Sequence, residues 1–335
     1  MLTSVQSDSR VSVLALGNWG TAIANYLCIK GYDVLGWSNQ ERIVKSINSQ
    51  HINPEALSEF KLHSAFKATA DLDVALERDI VILAFPSSAL LELVPRLEKT
   101  SAKLIISALK GLEKKSLLTP LQLCKKHISI ATDFVVLSGP SFAIDLVNLR
   151  PIGIVAASES EDAAWKTAEI FSSPTVKVYI STDPLGVELG GIVKNTIALA
   201  AGVCDGLGYG DSARAGLITR GLAEMQRLVS ALGADPQTLS GLSGLGDLVM
   251  TASCDTSRNR TVGLRLGKGE SLEQIMRTLG SVAEGVESSP LILELAQKHG
   301  VEMPITEQVC KFLRGEVSIQ DAAAQLLARP SKREF

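Results

Sequence analysis

The chain has 335 residues, too many for one ordinary hydrophobic core and suited to two domains. Hydrophobic residues make up 46% and charged residues 21%, a balance that excludes a disordered chain. The formal net charge is −3, so the basic footprint of a nucleic-acid binder is missing and no nucleic-acid partner is expected.

Residues 1–10 are polar and predict no secretory leader. Residues 11–16 form a short apolar run. Gly17-Asn18-Trp19-Gly20 follows, then a helical pattern over 21–30 that Gly31 stops, and 33–37 read as the next strand. This is a β-turn-α-β unit of the dinucleotide-binding kind. Residues 79–85 are a buried strand ended by Pro86, which opens a helix through 97. Strands at 103–108, 134–137, 151–157 and 175–179 continue the series, with helical segments between most of them. The pattern predicts an α/β, Rossmann-like doubly wound domain over 1–184, its sheet largely parallel and covered on both faces.

From 185 onward the periodicity is helical, with candidate helices at 188–204, 215–232, 272–279, 289–299, 306–314 and 318–328. Glycine-rich loops are expected at 206–210 and 241–246, giving an all-helical C-terminal domain over 185–335. The apolar stretch at 192–203 contains Lys194 and Asn195 and reads as too short to span a bilayer, so no membrane insertion is expected. Five cysteines lie far apart without a CxxC pair. They read as reduced thiols of a cytoplasmic protein, and no metal site is expected.

Ala15-Leu16-Gly17-Asn18-Trp19-Gly20 is the dinucleotide fingerprint with alanine in place of its first glycine. Gly17 lets the backbone approach a pyrophosphate, Gly20 lets the helix pack against the strand, and the helix start holds the phosphates. An acid at the end of the second strand would select NAD. Here the segment is Trp37-Ser38-Asn39-Gln40-Glu41-Arg42, whose first acid comes late, in the next helix. Ser38, Asn39 and Arg42 suit a 2′-phosphate or simply cap that helix, so NADP and NAD both stay open. Lys110, at the C-terminal end of a strand, points into the crevice where such sheets bind ligands, or is a surface lysine. Ser138-Gly139-Pro140-Ser141-Phe142-Ala143 also follows a strand. It lines the nicotinamide side of the crevice or is a structural Gly-Pro turn.

In the second domain, Lys194 falls at the start of an apolar helix. A lysine buried there suits proton exchange with an alcohol or ketone oxygen; a snorkelling surface lysine is the alternative. Ser257-Arg258-Asn259 suits a phosphate, although composition alone favours an exposed helix-capping turn.

The ordered set is specific. Gly17-Asn18-Trp19-Gly20-Thr21-Ala22, Pro86-Ser87, Lys110-Gly111-Leu112-Glu113, Ser138-Gly139-Pro140-Ser141-Phe142-Ala143, Val193-Lys194-Asn195, Gly221-Leu222-Ala223-Glu224-Met225, Gly244-Leu245-Gly246-Asp247-Leu248, Ser257-Arg258-Asn259 and Val282-Ala283-Glu284-Gly285 occur in this order. Over nearly the whole chain this resembles the bacterial-type NAD(P)-dependent glycerol-3-phosphate dehydrogenases. The resemblance implies reversible reduction of dihydroxyacetone phosphate to sn-glycerol 3-phosphate for glycerophospholipid synthesis. It implies Lys194 as the catalytic proton donor or acceptor. Lys110, Gly139, Ser141, Lys194, Asp247, Ser257, Arg258 and Asn259 are then the substrate contacts. Gly17, Asn18, Trp19, Gly20, Ser38, Lys110, Gly139, Ser141, Ala143, Arg258, Val282 and Glu284 are the cofactor contacts.

The chain departs from the family's pattern at Ala15, often glycine, and at Asn18, often serine. It also reads His51-Ile52-Asn53-Pro54 where a Tyr-Leu-Pro-Gly-like segment is common, and an arginine common near Ser38 is missing. A β-hydroxyacid dehydrogenase acting on a carboxylate is the alternative enzyme. A nucleotide sensor without chemistry is a further alternative, opposed by Lys110, Lys194, Asp247 and Arg258. The apolar helical domain points to a homodimer.

Overall fold

The structure, a computed structural model, describes residues 9–128, 132–279, 283–331 and 333–334. The chain divides into two compact units, Met1–Glu188 and Leu189–Phe335.

Eight strands of the first unit form one sheet: β1 (Arg10–Leu14), β2 (Asp33–Trp37), β3 (Lys67–Thr69), β4 (Ile80–Leu83), β5 (Leu104–Ser107), β6 (Asp133–Ser138), β7 (Ile152–Ala157) and β8 (Val176–Ser181). Their spatial order is β3-β2-β1-β4-β5-β6-β7-β8. β1 to β6 run parallel; β7 pairs antiparallel with β6 and carries β8 parallel to itself. β1 sits between β2 and β4, so the chain's direction of travel across the sheet reverses there. At such a switch point a crevice opens beyond the strands' C-terminal ends.

The helices of this unit are α1 (Asn18–Ile29), α2 (Glu41–Gln50), α3 (Leu72–Leu76), α4 (Leu90–Leu97), α5 (Pro120–His127), α6 (Ala143–Val147) and α7 (Glu161–Phe171). Val11, Val13, Ile80, Ile82, Leu104 and Ile106 face one apolar cluster, which α1, α2, α6 and α7 complete. Leu14, Val81, Leu83 and Ile105 face the other, completed by α3, α4 and α5. Burial on both faces is why these strands read as unbroken apolar runs. β3 is an unexpected element, an edge strand too short to show a period.

The second unit takes over the long helix α8 (Pro184–Gly206) and continues with α9 (Gly210–Ala231), α10 (Asp247–Ser253), α11 (Arg258–Gly267), α12 (Leu272–Leu279), α13 (Glu284–Lys298), α14 (Pro304–Leu313) and α15 (Ile319–Leu327). No strand occurs among its described residues. Three expectations are corrected. Residues 241–246 are not an open loop: Leu242–Gly246 is a π-helical turn, closed by the Gly246 N–H donating to the Gly241 carbonyl at 3.1 Å. Lys194 lies mid-helix rather than at a helix start, because α8 begins at Pro184. The apolar stretch around it belongs to a 23-residue helix, long and apolar enough by those measures to cross a bilayer, and its most apolar window is wholly buried within the protein.

α10 and α11 are unexpected elements: α10 has only seven residues, and α11 is polar and carries glycine. α11 packs backbone to backbone on α8: a Cβ on Gly263 would lie 1.9 Å from the Leu199 carbonyl oxygen, and one on Gly202 would lie 2.1 Å from that of Arg260. Glu224 in α9 is buried, accepting from the Ile305 and Thr306 N–H groups at 2.6 and 3.2 Å and from the Thr306 hydroxyl at 3.1 Å. Its carboxylate thereby caps the first turn of α14.

Candidate active site

The glycine turn lies at the switch point of the sheet. Gly17 is the extended N-cap residue of α1 and carries no side chain to occupy the first-turn N–H groups. It is exposed, and a Cβ built on it would meet nothing within 4 Å. The protein itself therefore does not require glycine here; the open space suits the close approach of a phosphate. Gly20 differs, since its Cβ would lie 2.0 Å from the Ala15 carbonyl oxygen. Only glycine lets α1 pack this tightly on β1. Asn18 is exposed and Trp19 half-buried, both now inside the helix, which starts three residues earlier than its apolar pattern suggests.

Other expected cofactor and substrate residues follow neighbouring strands of the same sheet. Ser38, just beyond β2, is buried; its hydroxyl accepts from the Gln40 N–H at 3.2 Å and serves the turn into α2. Asn39 is exposed, and Arg42 pairs with Glu55. Lys110 follows β5 and is half-buried. Gly139 follows β6 and is buried; the Ser141 hydroxyl donates to its carbonyl at 3.3 Å. Ala143 opens α6. The parallel arrangement of β1, β2, β5 and β6 thus gathers Gly17, Ser38, Lys110 and Gly139 along one edge of the sheet.

The second unit holds a separate constellation. Lys194 is 4% exposed, which overturns the snorkelling alternative. Its ammonium donates to the Asp247 carboxylate and, at 2.7 Å, to the Thr251 hydroxyl, which in turn donates to the Asp247 carbonyl at 2.6 Å. Asp247 and Thr251 are one turn apart on α10, so both face α8 together. Asp247 is fully buried, and its charge is tolerable there because the lysine pairs with it.

One residue further along α8, Asn195 joins two more helices. Its carboxamide accepts from Asn259 Nδ2 at 2.9 Å and donates to Glu284 Oε2 at 3.3 Å, while Asn259 Oδ1 accepts from the Gly285 N–H at 2.8 Å. Asn259 is therefore held by protein groups on both its amide atoms. Ser257 is buried and caps α11 by accepting from the Arg260 N–H at 3.3 Å, so the helix-capping reading describes its hydroxyl. Arg258 is exposed, and its side chain makes no hydrogen bond or ion pair with another described residue. Of the Ser257-Arg258-Asn259 trio, it is the side chain left available to an anion. Val282 lies outside the described residues. Asn195, named in its motif, carried no expected role, and Thr251 had only its helical spacing from Asp247 as a signal.

A doubly wound sheet with a glycine turn at its switch point, followed by a helical unit built around a buried lysine, defines an oxidoreductase of the nicotinamide-dependent dehydrogenase class. Residues 10–164 match the N-terminal part of the NAD-dependent glycerol-3-phosphate dehydrogenase family, and residues 183–324 match its C-terminal part. The protein from Nitratidesulfovibrio vulgaris named glycerol-3-phosphate dehydrogenase (NAD(P)+) is 44% identical, the alignment covering 97% of this chain and 100% of that one. Its namesake from Geobacter sulfurreducens is 41% identical over 98% and 99% of the two chains. The crystal structure of glycerol-3-phosphate dehydrogenase from Coxiella burnetii superposes with a TM-score of 0.91 at 37% identity, covering 96% of this chain and 99% of that one. The chain belongs to the NAD-dependent glycerol-3-phosphate dehydrogenase family.

Proposed function

We propose that the protein reduces dihydroxyacetone phosphate to sn-glycerol 3-phosphate with NADPH or NADH, reversibly, and so supplies glycerophospholipid synthesis. The observation that carries this reading is the buried Lys194-Asp247-Thr251 cluster in the second unit. The first domain, 1–184, holds the dinucleotide through Gly17, Asn18, Trp19, Gly20, Ser38, Lys110 and Ala143. The second, 185–335, holds the substrate. When the dinucleotide is bound, its nicotinamide supplies or accepts the hydride.

Lys194 donates a proton to the oxygen of the reduced carbonyl, and its ammonium stabilises the alkoxide charge as it develops. Asp247 and Thr251 fix the direction of that ammonium. Arg258 binds the phosphate, with Ser257 and Asn259 beside it, and this remote charge orients the carbonyl. Lys110, Gly139 and Ser141 complete the substrate contacts, and Val282 and Glu284 the cofactor contacts. The protein acts as a cytoplasmic homodimer, its apolar helical unit providing the interface.

The test is a substrate panel. NAD(P)H oxidation is expected with dihydroxyacetone phosphate and not with small β-keto acids or semialdehydes. Turnover only with the latter would replace this reading by a β-hydroxyacid dehydrogenase.

A further inference from the structure

The segment that departs from the family's pattern, residues 51–54, reaches the glycine turn. Asn53 lies between α2 and β3 and is fully buried. Its Nδ2 donates to the Leu16 carbonyl at 2.7 Å and to the Thr21 hydroxyl at 2.8 Å, while its Oδ1 accepts from the Glu55 N–H at 3.0 Å. Thr21 Oγ1 also donates to the Leu16 carbonyl, at 3.0 Å. The carbonyl in the middle of the turn is therefore gripped twice, by α1 and by a loop remote in sequence.

The preceding residue shows why that grip matters. Ala15 has φ +77°, the left-handed region that an L side chain disfavours and glycine enters freely. In this conformation the Ala15 carbonyl is set against Gly20, while the Ala15 N–H donates to the Trp37 carbonyl at 2.9 Å. Alanine does not choose this conformation by itself, so its neighbours must impose it.

We propose that Asn53 is a positioning residue for the cofactor turn, holding residues 15–20 in the conformation that binds the dinucleotide and replacing the freedom that a glycine at position 15 would have given. It acts through Leu16 and Thr21 and touches no cofactor atom. This rests on the turn being the dinucleotide site, as proposed above.

The experiment measures dinucleotide Kd by fluorescence titration without substrate, KM for dihydroxyacetone phosphate at saturating cofactor, and Tm. The proteins are wild type, Asn53→Ala, Ala15→Gly and the double variant. Loss of the two donated bonds is expected to raise the Kd of Asn53→Ala about tenfold, with KM for the phosphate within about twofold. In the Ala15→Gly background the same change is expected to raise Kd about threefold or less, because glycine keeps φ positive unaided. Should Asn53→Ala not fold, Thr21→Val removes the shared hydroxyl at nearly constant shape and is expected to raise Kd about threefold. Equal fold-changes in both backgrounds, or a lowered Tm with unchanged Kd, would overturn the proposal and leave Asn53 a plain loop anchor. Failure of the wild type to bind either dinucleotide would instead overturn the assignment of the turn itself.

Discussion

Lys194 and Asp247, 53 residues apart in sequence, form an ion pair whose side chains are 6% and 0% exposed. Such a pair contributes little net stability, because both ions lose their hydration. What it achieves is a charged ammonium held in one orientation inside an apolar helix bundle. Breaking it from either side leaves the other charge buried alone, which costs about 3–5 kcal/mol.

The first consequence concerns Lys194 itself. Lys194→Ala is expected to lower kcat by about a thousandfold or more, the range for losing both a proton donor and a charge stabiliser. Dinucleotide Kd is expected to stay within about twofold, since the glycine turn belongs to the other unit. Near-normal turnover in this variant would remove Lys194 from the chemistry.

Thr251 separates orientation from charge. Thr251→Val keeps the shape of the side chain and deletes the hydroxyl that receives the Lys194 N–H at 2.7 Å. A fall in kcat of about tenfold is expected, with KM nearly unchanged and the pH-rate profile displaced. A change in KM alone would mean that the hydroxyl serves binding rather than the ammonium.

Arg258 is the anion receptor of this account. It is exposed and without a partner among the described residues, so Arg258→Ala is expected to alter stability by no more than about 0.5 kcal/mol. Loss of a charge-assisted phosphate contact is expected to raise KM for dihydroxyacetone phosphate by roughly ten- to a hundredfold. An unchanged KM would place the phosphate elsewhere.

Glu188 gives a pH prediction. It is 2% exposed; one carboxylate oxygen accepts from the Leu121 N–H at 3.0 Å, and the other has no partner among the described residues. Burial pushes its carboxyl from an ordinary 4.5 up to about 7, against the pull of Thr119 and the Leu121 N–H. The native pKa exceeds the unfolded one, so the folded state binds more protons between these values. The stability linked to Glu188 is full below pH 4.5 and is lost as pH rises through about 7. Glu188→Gln does not titrate. Relative to wild type it is expected to gain about 3 kcal/mol of stability between those limits. Thermal unfolding across that range checks this, and parallel curves for the two proteins would refute it.

Much of the first unit was legible because its signals are local. A strand, a glycine turn and a helix follow one another within a few residues, and burial on both faces writes each central strand as an apolar run. β3 was missed because three residues at a sheet edge carry no period. In the second unit α8 was plain from its apolar length, whereas α10 is too short to show a period and α11 hid behind polar residues and the glycine that packs it on α8. Single residues of the candidate site, such as Lys194, stood out as chemical misfits in apolar surroundings. Asp247 was named through its motif, but its pairing with Lys194 was not, nor was Thr251, because those contacts are made by tertiary packing that no short window of sequence records. Asn53 illustrates the same limit: in sequence it is one more loop asparagine, and only the fold brings it to Leu16.

The central claim is that this chain transfers hydride to a three-carbon phosphate with Lys194 as proton donor. It is tested most directly by incubating wild type and Lys194→Ala with dihydroxyacetone phosphate and NADPH or NADH, following nicotinamide absorbance together with phosphorus NMR of the product. The account predicts that wild type oxidises at least one dinucleotide in step with the appearance of glycerol 3-phosphate, and that Lys194→Ala binds that dinucleotide but scarcely turns over. Absence of glycerol 3-phosphate with both dinucleotides, or its formation at an equal rate by the variant, would contradict it.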